Sequence, residues 1–201
     1  MQLPVGGRGR IAGTFHLRKA CLVALLGLLC ATAGLEPALA GEPWGGIISE
    51  LKVGALWHDP GDLWSGFRRE PESVDINIEA LLSPSMPLLW GSIRPAVGGS
   101  INTDGGTSKA YVDARWQVET PSGIFFGLGL GAAIHDGDID PVDPTRKALG
   151  SRVLFHIPAE IGWRFDAHNS VSVYFEHISN GYTQRYNEGL DSLGMRYGYK
   201  Y

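Results

Sequence analysis

After residue 50, apolar side chains recur at every second position through most of the chain. Leu51, Val53, Ala55 and Trp57 alternate with Glu50, Lys52 and His58, and Val74, Ile76, Ile78 and Ala80 alternate with Asp75, Asn77 and Glu79. The pattern returns in Ala110, Val112, Ala114, Trp116 and Val118. It continues in Ile124, Phe126, Leu128, Leu130, Ala132 and Ile134, with Gly127, Gly129 and Gly131 opposite. Val153 to Phe165 repeats it, with Arg152, His156, Glu160 and Arg164 on the other face. A period of two is that of a strand with one apolar face. Residues 92–101 carry the weakest version, where Ile93, Val97 and Ile101 alternate with Arg94 and small residues. Segments ending in Ser179 and Tyr201 bring the expected strands to eight.

The connections alternate in length. Turns at residues 83–88, 119–123 and 166–170 are short, whereas loops at 59–73, 136–150 and 180–189 are longer, with 102–107 a modest fourth. This spacing predicts an all-β fold, an eight-stranded antiparallel up-and-down transmembrane β-barrel. A soluble lipid-carrier barrel has the same period with the apolar face turned inward. Three features favour the membrane form. The polar face carries charges and small residues suited to a filled lumen. Trp57, Trp116 and Trp163 lie near strand ends, where an aromatic girdle belongs. The last segment places Leu193, Met195, Tyr197, Tyr199 and Tyr201 on one stripe.

The first forty residues predict a targeting segment. Arg8, Arg10, Arg18 and Lys19 precede the apolar run ACLVALLGLLCATAG, and Ala38-Leu39-Ala40 forms an A-x-A cleavage signal. A retained anchor helix is the alternative, and Leu29 before Cys30 argues against a lipoprotein signal. The expected division is a cleaved signal peptide at 1–40 and one barrel domain at 41–201. Both cysteines, Cys21 and Cys30, fall in the signal, so the barrel is expected to hold without disulfides or Cys-based metal sites. The net charge of −4 points to no nucleic-acid partner.

Chemistry concentrates at the C-terminal end. Val171, Val173, Phe175, His177 and Ser179 share one parity, as do Asp191, Leu193, Met195 and Tyr197. With the N-terminus periplasmic, His177 and Ser179 are expected on the lipid face at the outer rim. A hairpin register that pairs His177 with Asp191 brings their Cβ atoms about 5 Å apart. A carboxylate beside an imidazole, with a serine hydroxyl on its other side, is an arrangement that activates a nucleophile. Asn180 is the candidate side-chain donor to an oxyanion. Ionisable groups facing lipid are expensive, which favours a functional explanation. Interfacial residues facing headgroups give the same H-x-S pattern without catalysis.

The HISN motif at 177–180 and the segment NEGLDSLGMRYGYKY at 187–201 resemble the lipid A 3-O-deacylase (PagL-type) family of Gram-negative outer membranes. That resemblance implies an outer-membrane serine esterase that removes the 3-position acyl chain of lipid A. It implies His177, Ser179 and Asp191 as the catalytic residues, with Asn180 at the oxyanion site. The family's acid is often Glu, so Glu188 stands as the alternative to Asp191, although its parity is wrong. No cofactor and no metal are implied. The expected partners are lipid A or lipopolysaccharide as substrate, outer-membrane lipids, and the barrel-assembly machinery during insertion. A homodimer is one option for assembly, and a non-enzymatic structural or adhesion barrel is the rival reading.

Other polar residues carry weaker expectations. Arg152, Glu160, Arg164, Glu176 and Arg196 have lumen parity and are expected to form a network that fills the barrel. His135, His156 and His168 lack metal-ligand spacing. Loop cations, including Arg68, Arg69, Arg146, Lys147 and Arg185, are candidates for lipid A phosphates or simply solvated.

Overall fold

A computed structural model of the chain describes residues 46–61, 63–66 and 69–201. The expected signal segment at 1–40 and Arg68 lie outside them. Nine strands follow one another: β1 (Ile48–His58), β2 (Val74–Leu82), β3 (Met86–Leu88), β4 (Gly91–Asn102), β5 (Lys109–Glu119), β6 (Ile124–His135), β7 (Val153–Arg164), β8 (Asn169–Ser179) and β9 (Leu190–Lys200). Each long strand pairs antiparallel with its sequence neighbours, and β1 pairs with β9 from Glu50↔Lys200 to His58↔Ser192. The remaining edges meet where β2 pairs with β4, from Asp75↔Asn102 to Leu81↔Ala96. Eight strands thus close an up-and-down barrel, so the backbone groups along the edges of β2 and β4 find their partners within the protein.

The ninth strand corrects the expected turn at residues 83–88. Met86–Leu88 pairs back on β4, so the chain reverses at Leu89 and Trp90 instead. Both have positive φ, 44° and 61°, in a tight turn that usually selects Asn or Gly. Leu-Trp carries no such signal, which is why the alternation did not mark this hairpin.

The apolar parity faces outward all around the barrel. Ile101, Val112, Leu130, Ile134, Val153 and Ile161 are all more than half exposed. Lys52, Glu79, Arg115, Glu160, Glu176 and Arg196 are buried inside. A soluble carrier barrel has the reverse arrangement, so this distribution is that of a membrane barrel.

The lumen is filled by charge pairs. Lys52 Nζ lies 2.7 Å from Glu160 Oε2, and Arg196 Nη2 lies 2.8 Å from the same oxygen. Arg196 also pairs with Glu79 (3.2 Å) and stacks over the Tyr174 ring. Glu79 bonds to Arg115 at 2.6 Å, and Glu176 to Lys109 at 2.8 Å and His156 at 3.1 Å. Of the residues expected in this network, Arg152 does not join. It lies just before β7, exposed, and donates to Gly137 O at 2.5 Å. Strand parity could not locate it because the strand starts one residue later. His156 belongs to the lumen network, whereas His135 bonds Ser151 O and His168 bonds Lys200 O.

The four long connections share one end of the barrel, where the β1–β2 loop is latched by a polar cage. Glu70 accepts from Thr107 N–H and Oγ1 (2.8 and 2.7 Å) and from Lys147 N–H (3.2 Å), with His58 Nε2 at 3.0 Å. Its own N–H donates to Asp59 Oδ2, and Lys147 Nζ holds Asp59 Oδ1 at 2.8 Å. Burial favours the neutral Glu70 carboxyl, but the His58 imidazole and the Thr107 donors outweigh it and hold the pKa down at about 2.

Glu160→Leu leaves Lys52 with the longer contact to Glu50 (3.8 Å) and weakens the hold on Arg196, and should cost about 3–5 kcal/mol in urea unfolding from lipid vesicles. Adding Lys52→Met should recover part of that loss. The folded-state pKa of Glu70 lies below its ordinary 4.5, so its contribution is complete above that pH and lost as pH falls toward 2. Amide-exchange protection of the β1–β2 loop should therefore hold from pH 8 to 5 and fall between about 4.5 and 2. Glu70→Gln should show low loop protection even at neutral pH.

Candidate active site

β8 and β9 leave the latched end as a hairpin whose register pairs His177 with Asp191. Because side chains alternate, both project from the outer face, as does Ser179 two residues further along β8. On the other side of β8, Ile157 lies opposite His177 and Phe155 opposite Ser179. The imidazole Nδ1 is 2.7 Å from Asp191 Oδ1. The second carboxylate oxygen, Oδ2, accepts the main-chain N–H of Ser65 at 2.6 Å.

Alternation alone places His177 and Ser179 bare against lipid. The structure differs: they are 4% and 8% exposed, and Asp191 is fully buried. The cover is the β1–β2 loop, folded back over the outer wall. Trp64 lies flat on the His177 imidazole, with ring centroids 4.4 Å apart and planes 10° from parallel. Gly189 adopts φ +57° to lead the chain into β9, and a Cβ there would come within 3.0 Å of His177 Cε1. A side chain at 189 would press on the ring that Trp64 holds from another side.

A pocket of about 250 Å³ opens beside these residues. Trp64, Phe155, Ile157 and Tyr182 give it apolar walls, and His177 and Ser179 reach its lining. A larger groove of about 490 Å³ lies at the short-turn end around Arg94, Glu119 and Lys200. It is far from the imidazole-carboxylate pair along the barrel.

Asn180 and Glu188 sit close by in other roles. Asn180 Nδ2 donates to Leu149 O (2.9 Å) and Tyr186 O (2.5 Å), and its main-chain N–H donates to Asn187 Oδ1 (2.9 Å). Its amide protons therefore brace the β8–β9 loop against the β6–β7 loop. Glu188 Oε2 accepts from Ala148 N–H at 2.7 Å, so the carboxylate on the imidazole is that of Asp191. Among the loop cations, Lys147 is buried on Asp59 and Ser65 Oγ, and Arg146 donates to Gly105 O. Sequence reasoning missed Trp64 and Ser65. Their one trace there is Leu63-Trp64, an apolar pair in a polar loop.

Comparison with known proteins agrees with this architecture. Among solved structures, the outer membrane enzyme PagL has a TM-score of 0.57 at 18% identity, over 75% of this chain and 98% of that one. Neisserial surface protein A has a TM-score of 0.47 at 10% identity, over 78% and 97%. The first is a likeness of fold, and the second is too low to add to it. No curated protein matches the sequence. The family model described as lipid A 3-O-deacylase (PagL) matches residues 81–200, more than half of the chain and all of β4 to β9. The chain belongs to the lipid A 3-O-deacylase (PagL) family.

Proposed function

We propose that this chain is an outer-membrane serine esterase that hydrolyses the 3-position acyl ester of lipid A. The observation that carries the reading is the buried His177–Asp191 hydrogen bond, set beside Ser179 on the outward face of a membrane barrel. An ester whose carbonyl lies near the headgroup layer reaches such a site without leaving the membrane. Residues 1–40 serve as the export signal and 41–201 as the barrel, with the long loops on the external side.

Asp191 fixes Nδ1 of the imidazole, which leaves Nε2 as the basic nitrogen. Nε2 takes the Ser179 hydroxyl proton as Oγ bonds to the ester carbonyl carbon. The tetrahedral oxyanion collapses, the bond to the sugar oxygen breaks, and the imidazolium returns its proton to that oxygen. Water, deprotonated by the same nitrogen, then hydrolyses the acyl-enzyme and regenerates Ser179. Asp191 remains ionised and stabilises the imidazolium. The amide protons of Asn180 are already engaged, so its role is to position the strand end. The oxyanion donor is the main-chain N–H of Gly181, which lines the pocket, since the Asn180 N–H is engaged by Asn187.

Mass spectrometry of lipid A from cells that express the chain tests this directly. The wild type should remove one hydroxyacyl chain, and Ser179→Ala should abolish the change. Asp191→Asn should lower the rate by roughly 10³–10⁴-fold. Unmodified lipid A alongside folded, inserted wild-type protein would support a non-enzymatic barrel instead.

A further inference from the structure

The β1–β2 loop lies outside residues 81–200 that match the family, yet it touches both members of the imidazole-carboxylate pair. We propose that Trp64 and Ser65 are positioning residues that this loop adds to the esterase site. The proposal rests on the reading of His177, Ser179 and Asp191 given above.

The two contacts are complementary. Ser65 N–H takes the Asp191 oxygen that His177 does not use, so the carboxylate is held at both oxygens and cannot rotate away from Nδ1. Trp64 covers one face of the imidazole, which fixes the ring plane and keeps water and lipid off it. A stacked indole also favours the imidazolium that forms when Ser179 loses its proton. The other face of Trp64 remains exposed, 59% of the residue, toward the pocket mouth and the surrounding lipid.

The described residues of the loop are tied down as such a role requires. Lys147 Nζ, fully buried, donates to Ser65 Oγ at 3.0 Å and holds Asp59 Oδ1 at 2.8 Å. Asp59 N–H in turn donates to Asp191 O at 2.9 Å, which ties the start of the loop to the strand that carries the acid. Glu70 closes the other end through His58, Thr107 and Lys147. A loop serving only as surface cover has no need of a buried lysine aimed at the residue whose amide caps the acid.

The test uses full-length protein in detergent micelles, with a short-chain nitrophenyl ester and purified lipid A as substrates. Ser65→Pro removes the N–H donor, whereas Ser65→Ala keeps it and loses only the hydroxyl. Ser65→Pro should lower kcat about 10–100-fold, the value of a hydrogen bond to a charged group. KM should stay within about twofold, and Ser65→Ala, which loses the Lys147 contact but keeps the N–H, should lower kcat several-fold less than Ser65→Pro. The acid limb of the kcat/KM profile should move to higher pH in Ser65→Pro alone, because a carboxylate with one donor fewer binds protons, its own or the imidazole's, more tightly. Trp64→Ala should lower kcat roughly 10-fold, and Trp64→Phe should restore most of it. Heat-modifiable gel migration reports that each variant is folded. Wild-type kcat and pH profile in both Ser65→Pro and Trp64→Ala overturn the proposal. So does equal loss in Ser65→Pro and Ser65→Ala with an unmoved acid limb, which would mark a structural loop. Undiminished hydrolysis in Ser179→Ala would instead overturn the esterase reading, whatever the loop variants do.

Discussion

A backbone that crosses lipid has to satisfy its N–H and C=O groups within the protein, because hydrocarbon offers no partner. Here the condition is met where β2 pairs with β4 and β1 with β9. Once the sheet is closed, each strand has an inner and an outer parity, and every side chain is committed to one of two solvents. Charged residues of inner parity find one another in the lumen, where Glu160 serves both Lys52 and Arg196. Residues of outer parity meet the membrane. The position of His177, Ser179 and Asp191 is a consequence of that same closure.

An imidazole-carboxylate pair on the outer face meets the cost of polar groups in lipid. The protein answers with local burial. The hairpin register joins Asp191 to His177, a loop amide takes the second carboxylate oxygen, and an indole covers the ring. Sheltered this way, the pair is desolvated enough for strong hydrogen bonds, while Ser179 still reaches a pocket open to the membrane side. The cage around Glu70 and the buried Lys147 belong to the same solution, since they hold the loop in place. The long loops are thereby part of the candidate site.

Much of this was legible from alternation. A period of two marks the strands, and parity alone assigns Glu176 and Arg196 to the lumen and His177 and Asp191 to one face. The HISN motif located the candidate chemistry. What alternation cannot carry is where a loop folds. Nothing in the composition of residues 59–73 says that Trp64 will stack on an imidazole more than a hundred residues away. The partners of Asn180 were hidden for a related reason, since its amide protons go to carbonyls of two other loop residues, Leu149 and Tyr186. The Met86–Leu88 strand was hidden because its turn uses Leu89 and Trp90 at positive φ rather than Asn-Gly.

The central claim is that Ser179 is a nucleophile activated by the His177–Asp191 pair. Labelling of the folded barrel with an alkyl fluorophosphonate, followed by peptide mapping, tests it most directly, because only an activated serine bonds to phosphorus and expels fluoride. The account predicts one adduct per chain, on Ser179, and none in a folded His177→Asn variant. An unlabelled wild-type barrel, or an adduct on another serine, would contradict it.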